Sequence, residues 1–196
     1  MTWSRFATRR GAALLAMVLG ACASTGADDP PSAAYPALVA SVCPMLWDWQ
    51  RDVGGRINEM SGAAIDEDRP EARQTLYLDT FADIDVALDR LADAITEFPD
   101  SAHTATMQSE ITTGIDAARR ELDDLTATVV GTAVADEPDG RRRVPTFFGE
   151  FEKVIDLVKP EIAGYEDPEL TTAFAADGTC RFAVKDVDDG VARSNG

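Results

Sequence analysis

Apolar residues recur at every third or fourth position through the middle of the chain, most regularly between Pro70 and Phe98. This spacing places the apolar side chains on one face of an α-helix. The steps of four and three alternate without a break, which favours the shallow crossing angles of a helical bundle. The stripe consists of Tyr77, Phe81, Ile84, Leu88, Leu91, Ile95 and Phe98. We therefore predict a helix that begins at Pro70 and is ended by Pro99.

The same spacing predicts four other helices. The first runs from about Leu38 to Met60, and the third from about His103 to Ala135. The fourth begins near Pro145 and is kinked or ended by Pro160, and a short fifth helix spans Pro168 to Ala176. The stripe of the first helix consists of Val42, Leu46, Trp49, Val53, Ile57 and Met60.

Proline and glycine refine the predicted boundaries. Pro44 suits the first turn of the main part of the first helix, where its missing N–H is not needed. The pair Gly54-Gly55 weakens that helix by roughly 1 kcal/mol per glycine relative to alanine, and close approach by another helix would explain it. Gly114 and Gly131 are weak points of the third helix, and the composition of residues 136–140 predicts a turn.

These elements together predict an all-α fold, an up-down four-helix bundle with a short C-terminal helix. The bundle domain is expected over residues 37–184. Residues 22–36 are small, polar and proline-bearing, which predicts a flexible tether. The polar residues 185–196 predict a disordered tail.

The N-terminal segment reads as a targeting signal rather than as part of the fold. Arg5, Arg9 and Arg10 form a positive region, and the apolar run 12–19 that follows is far shorter than the roughly 20 residues a spanning helix needs. The tetrapeptide Leu19-Gly20-Ala21-Cys22 then resembles the lipobox of bacterial lipoprotein precursors. The resemblance implies a signal peptide over residues 1–21, cleavage before Cys22 and lipidation of the Cys22 thiol.

Composition and charge indicate where the protein is located and which kinds of partner are excluded. The chain carries a formal net charge of −17, which argues against nucleic acid as a partner because phosphate binding needs clustered Lys and Arg. The abundance of Ala, Asp and Arg is similar to that of small exported lipoproteins of high-GC Gram-positive bacteria. Both resemblances imply a protein anchored to the cell membrane by lipid and facing the outside of the cytoplasm.

Two cysteines remain once Cys22 is lipidated. In an exported domain, Cys43 and Cys180 are expected to form a disulfide. The alternative is two buried free thiols. A redox-active pair is disfavoured because the chain contains no Cys-x-x-Cys motif. The predicted disulfide would tie the start of the first helix to the segment that follows the last one.

Candidate catalytic and metal-binding residues are few. His103 is the single histidine, so a Ser–His–acid hydrolase would have to use it. Its place at a helix start is typical of a surface histidine. A di-iron site needs two Glu-x-x-His pairs, and structural zinc needs four Cys or His ligands. We therefore predict no catalytic residue, no metal and no cofactor.

Aromatic and basic residues are the candidates for binding. Trp47 and Trp49 cannot both face one core, so Trp47 is either a covered edge residue or an exposed interaction residue. The basic cluster Arg141, Arg142 and Arg143 could bind an anion or an acidic partner, although nearby acids could also balance it. The aromatic positions of the fourth helix, which would suit an apolar ligand, are Phe147, Phe148 and Phe151.

The first functional interpretation is a lipid-anchored, non-enzymatic interaction or accessory module with an envelope protein as its partner. The alternative is a binding protein that holds an apolar small molecule between its helices. A hydrolase that uses His103 is the third interpretation.

Overall fold

The computed structural model describes residues 34–131 and 139–186, which form six α-helices and one 3-10 helix. Within these residues no β-strand occurs, and Glu161 and Lys185 form an isolated bridge. No helix of the described ranges is long and apolar enough to cross a membrane. The helices are α1 (Ala34–Asp66), α2 (Pro70–Ile95), α3 (Thr104–Gly131), α4 (Asp139–Val158), the 3-10 helix (Ile162–Tyr165), α5 (Pro168–Ala176) and α6 (Cys180–Ala183).

The four long helices form a closed ring. Each packs against the helix before it, and α4 packs back on α1. Three residues connect α1 to α2 and eight connect α2 to α3, so consecutive helices run in opposite directions. The short helices α5 and α6 both pack on α1. The predicted all-α, up-down four-helix bundle with a C-terminal addition is confirmed.

The predicted apolar stripes form the core. All seven positions of the Tyr77–Phe98 stripe and all six of the α1 stripe are buried, and the inward residues Leu170 and Phe174 of α5 are fully buried. The predicted end of the second helix at Pro99 is wrong, because α2 ends at Ile95 and Phe98 lies beyond it. The rings of Phe151 on α4 and Phe81 on α2 pack against each other at a tilt of 57°, with centroids 5.5 Å apart. Burial of these side chains from four helices is the main force that holds the bundle together.

Ion pairs link three of the four helix pairs on the outside of the bundle. Arg56 of α1 reaches Asp83 of α2 at 3.0 Å, and Lys153 of α4 reaches Glu121 of α3 at 2.6 Å. Arg119 of α3 bridges to α2 through Asp85 and Asp89. Because these pairs are exposed and screened by solvent, they orient the helices more than they stabilise them.

The predicted helix boundaries are also wrong at two other prolines. Pro44 does not open a helix, because α1 begins ten residues earlier and continues through it. The missing N–H leaves the carbonyl of Ala40 without its helical partner, but both residues are exposed and water can hydrate that carbonyl. Likewise α4 begins at Asp139, so Pro145 is interior and the expected turn is helical at its last two residues.

The ends of the domain also differ from the prediction. Since α1 begins at Ala34, the last three residues of the predicted tether are helical. Lys185, the first residue of the predicted tail, is paired, because its N–H donates to the carbonyl of Pro160 at 2.9 Å. Its carbonyl accepts from the N–H of Ile162 at 3.3 Å. Residues 187–196 lie outside the described ranges.

Glycine allows close helix packing at a different position from the one expected. A β-carbon on Gly54 or Gly55 would meet no atom within 4 Å, so close approach does not explain this pair. Gly114 of α3 instead lies against the backbone of α4. A β-carbon there would collide with the carbonyl oxygen of Leu157 and lie 3.0 Å from the Cα of Val158.

A buried arginine closes the turn between α1 and α2, and the sequence pattern did not predict it. The side chain of Arg73 is fully buried. Its guanidinium donates to the carbonyl oxygen of Glu67 through Nη2 at 2.6 Å and through Nε at 3.2 Å. Glu67 directly follows the last residue of α1, so the positive charge lies at the negative end of that helix dipole.

Candidate functional site

Cys43 and Cys180 form a disulfide. Cys43 lies on α1 and Cys180 begins α6, with their Cα atoms 4.9 Å apart and 137 positions between them in the chain. Both residues are fully buried. The predicted pairing is confirmed, and it fixes the C-terminal segment to the first helix of the bundle.

Next to the disulfide, an aromatic pair lies on the surface. The rings of Trp47 on α1 and Phe182 on α6 pack with centroids 5.1 Å apart and a tilt of 41°. The side-chain amide of Gln50 also holds α6, because it donates to the carbonyl of Ala183 at 3.4 Å. Trp47 is partly buried, whereas Phe182 is 58% exposed. Trp47 therefore covers an edge, and Phe182 is the aromatic side chain that faces solvent.

The other tryptophan has a structural role. Trp49 is 7% exposed and belongs to the core, as its place on the α1 stripe predicted. The sequence analysis did not single out Phe182. Its position two residues after Cys180 was the available signal, since a disulfide at Cys180 constrains whatever follows.

A polar cluster joins three helix starts at one end of the bundle. The Asp167 carboxylate accepts a hydrogen bond from the Tyr35 hydroxyl at 2.7 Å, and its Oδ2 lies 2.8 Å from Nε2 of His103. The His103 ring lies between two tyrosines, 5.8 Å from the Tyr35 centroid and 5.4 Å from that of Tyr165. The side chain of His103 is 23% exposed and directly precedes α3, so the histidine is half-buried at the start of that helix.

Local hydrogen bonds keep the Asp167 carboxylate ionised. Partial burial raises its pKa, but hydrogen bonds from the N–H of Leu170, the Tyr35 hydroxyl, His103 and the N–H of Glu169 outweigh this and lower the pKa to about 2. Asp167 is the N-cap of α5, which explains the two backbone donors. Because an ionised carboxylate only accepts hydrogen bonds, Nε2 of His103 carries the proton that they share.

A second carboxylate extends the cluster. Glu110 of α3 accepts from the Tyr165 hydroxyl and from the N–H of Glu161, each at 2.8 Å. Burial of Tyr165, together with its hydrogen bond to Glu110 and the negative charge there, raises the pKa of the Tyr165 hydroxyl. The two carboxylates thus connect α3 to the 3-10 helix and to α5.

This arrangement orients an imidazole against a carboxylate, as hydrolases do for a general base. Over the described ranges, however, the hydrogen bonds of His103 include no serine or cysteine side chain. As described, the cluster holds the starts of α1, α3 and α5 together through hydrogen bonds, and we call it the clamp. Sequence reasoning could have found the N-cap in Asp167-Pro168, but nothing in the pattern links Tyr35 to Asp167 across 132 positions.

The structure describes only some of the remaining candidate residues. Arg141, Arg142 and Arg143 lie in the first turns of α4, and their side chains are outside the description. The same holds for the side chains of Phe147 and Phe148. Cys22 and the lipobox also lie outside the described ranges. Of the three phenylalanines proposed to hold a ligand, Phe151 is described, and it is a core residue.

Comparison with known proteins gives no match. No protein-family model matches the chain, and no curated protein or solved structure matches it. The function is therefore argued from the residues and their geometry.

Proposed function

We propose that the chain is a lipoprotein, anchored through Cys22 to the outer side of the cytoplasmic membrane, whose bundle is a non-enzymatic interaction module for an envelope protein. The observation that carries the proposal is the aromatic pair of Trp47 and Phe182, with Phe182 58% exposed and Cys180 two residues before it in a disulfide. Exposed aromatic side chains on a rigid support are typical anchors of protein interfaces.

The disulfide supports an extracytoplasmic location. Disulfides persist in oxidising compartments and are rare in the cytosol. Cys43 and Cys180 are both fully buried, so reductants reach their bond only when the bundle opens. Together with the lipobox at residues 19–22, this favours export followed by lipid attachment.

The proposed anchor limits the height of the aromatic pair above the membrane. Eleven residues separate Cys22 from Ala34, and the twelve Cα–Cα steps between them span at most about 40 Å. With the start of α1 nearest the anchor, Trp47 lies about 20 Å further along the helix axis. In the proposed arrangement the pair is therefore within reach of a partner on the same membrane.

The anchor is tested by Cys22→Ala. Two or more acyl chains hold a protein stably at a membrane, and the variant removes their attachment site. We expect the wild-type protein to sediment with membranes and the variant to be released into the soluble or secreted fraction. Thr25→Ala is the matched control, because it changes a residue of the predicted tether and leaves both Cys22 and the disulfide intact. Equal membrane retention of Cys22→Ala and the wild type would contradict the anchor.

The interaction surface is tested by crosslinking in intact cells with Phe182→Ser. Truncation of an interface hot spot costs about 2 kcal/mol or more, so we expect about a thirtyfold weaker association and loss of the crosslinked band. Val130→Ser is the matched control, since Val130 is 59% exposed on α3 and lies outside the aromatic pair.

Two outcomes would contradict this surface. In one, the band persists in Phe182→Ser at the wild-type level. In the other, Val130→Ser removes the band equally, which would show a general loss of exposed apolar area rather than a specific contact. Both variants are compared at equal surface abundance, measured by labelling of intact cells.

A further inference from the structure

A groove runs between α1 and α2, with a volume of about 250 Å³. Each helix contributes four residues at the spacing of one helix face. The small residues Ala87 and Ala94 on α2 leave the space open, and Trp49 and Leu91 form its apolar floor. The complete lining is Met45, Asp48, Trp49, Asp52, Ala87, Arg90, Leu91 and Ala94.

The floor contains a hydrogen-bond donor without an acceptor. Trp49 is 7% exposed, and its indole Nε1–H has no hydrogen-bond partner in the described part of the chain. Buried polar groups in folded proteins are almost always hydrogen-bonded, so an unpartnered N–H beside a groove indicates a missing acceptor. The Nε1 atom is itself shielded from solvent, so a ligand oxygen can supply the acceptor only when the indole ring turns toward the groove.

The charged residues at the rim of the groove indicate the charge of the ligand that it would bind. Both rim carboxylates are engaged on their own helix, Asp48 by Arg51 at 3.8 Å and Asp52 by Arg56 at 3.2 Å. Arg90 lies opposite them on α2 and makes no ion pair within the described ranges. The charge that remains free at this groove is therefore a guanidinium, whose planar donors match a carboxylate.

The neighbouring groove between α2 and α3 lacks these features. It is larger, about 490 Å³, but its guanidinium is already engaged, because Arg119 bridges Asp85 and Asp89 across the rim. Of these two grooves in the described part of the chain, the α1–α2 groove combines a guanidinium without an ion pair, an unpartnered buried donor and an apolar floor.

We propose that the α1–α2 groove binds a small apolar molecule with a carboxylate group. The carboxylate pairs with Arg90, an oxygen accepts from the indole N–H of Trp49, and the apolar part covers Ala87, Leu91 and Ala94. The volume, just below the range usual for drug-sized ligands, limits the ligand to roughly the size of a medium-chain fatty acid. This site is separate from the Trp47–Phe182 surface and does not depend on it.

Octanoate is the probe, and the nuclear magnetic resonance signal of the Trp49 indole N–H is the measurement. The chain is used at full length with Cys22→Ala, so that no acyl group competes, and with its disulfide oxidised. We expect a saturable shift of the Trp49 signal below the micelle-forming concentration, while the Trp47 signal stays in place. Octylammonium, which has the same chain and the opposite charge, should produce no such shift.

Two variants test the assigned contacts. Arg90→Gln should weaken octanoate binding about tenfold, because it removes a charge-assisted pair. Arg120→Gln is the matched control, since Arg120 is another exposed arginine without an ion pair in the described ranges and lies outside the groove. Ala94→Leu should fill the groove and abolish binding, with the unchanged helical circular dichroism signal showing that the bundle is folded.

Three results would overturn the proposal. One is the absence of a saturable Trp49 shift with octanoate. Another is equal or tighter binding of octylammonium, which would assign the groove to cations. The third is an equal loss of affinity in Arg90→Gln and Arg120→Gln, which would show attraction to the surface in general.

Discussion

Replacing Cys43 and Cys180 together with alanine is expected to lower the free energy of unfolding by about 5 kcal/mol. The disulfide closes a loop across 137 positions, and the entropy that such a loop removes from the unfolded chain corresponds to about this stabilisation. Domains of this size are stable by about 5–15 kcal/mol in total. Loss of the disulfide should therefore leave a large share of the protein unfolded at 37 °C, a temperature at which small secreted domains without their disulfide often fail to fold.

Urea unfolding followed by circular dichroism measures this effect. If the disulfide acts mainly on the unfolded state, the variant should also show a steeper dependence of stability on urea, because the unlinked chain exposes more surface. Alanine is preferred to serine, since both cysteines are fully buried and a hydroxyl there would lack a partner. A change below about 1 kcal/mol would contradict a stabilising role for the disulfide.

The parts of the fold that depend on local signals could be predicted from the sequence. The stripe from Tyr77 to Phe98 defined a face that is buried throughout, because helical periodicity and core formation are the same requirement here. The bounds of α5 were also correct, since Pro168 follows an N-cap aspartate and Ala176 precedes Asp177-Gly178. Such features involve neighbours within one or two turns.

Features that depend on distant residues could not be predicted in the same way. The clamp of Tyr35, His103 and Asp167 joins three segments, and each member alone resembles an ordinary surface residue. Arg73 is charged, yet it is fully buried because the carbonyl oxygen of Glu67 lies within reach of its guanidinium. A polar side chain is exposed unless the fold brings hydrogen-bond partners close to it. The apolar pattern of the sequence does not show which partners those are.

The start of α4 shows how turn composition can mislead. Asp139 and Gly140 have the composition of a turn but are helical. A negatively charged residue is favourable in the first turn of a helix, at the positive end of the helix dipole. The same residue types therefore suit a turn and the first turn of a helix, and only tertiary packing separates the two.

Gly114→Ala is the second change with a large expected effect, and we expect it to lower the free energy of unfolding by about 2–3 kcal/mol. The new β-carbon would meet the carbonyl oxygen of Leu157 and the Cα of Val158, which are backbone atoms of α4. A clashing side chain could rotate away, but backbone atoms cannot. The helices α3 and α4 would therefore have to move apart along their contact. That separation would also loosen the packing of Phe151 on Phe81 in the bundle centre.

Gly55→Ala is the matched control, because it makes the same chemical change in the interior of another long helix. Gly55 is exposed and a β-carbon there would meet no atom within 4 Å, so alanine should stabilise α1 by up to about 1 kcal/mol through helix propensity. The two variants should therefore shift the urea midpoint in opposite directions. A stabilising Gly114→Ala would contradict the close contact of α3 and α4. Equal destabilisation by both variants would instead assign the effect to alanine in general. Destabilisation by Gly114→Ala alone is the result that shows a backbone contact between α3 and α4.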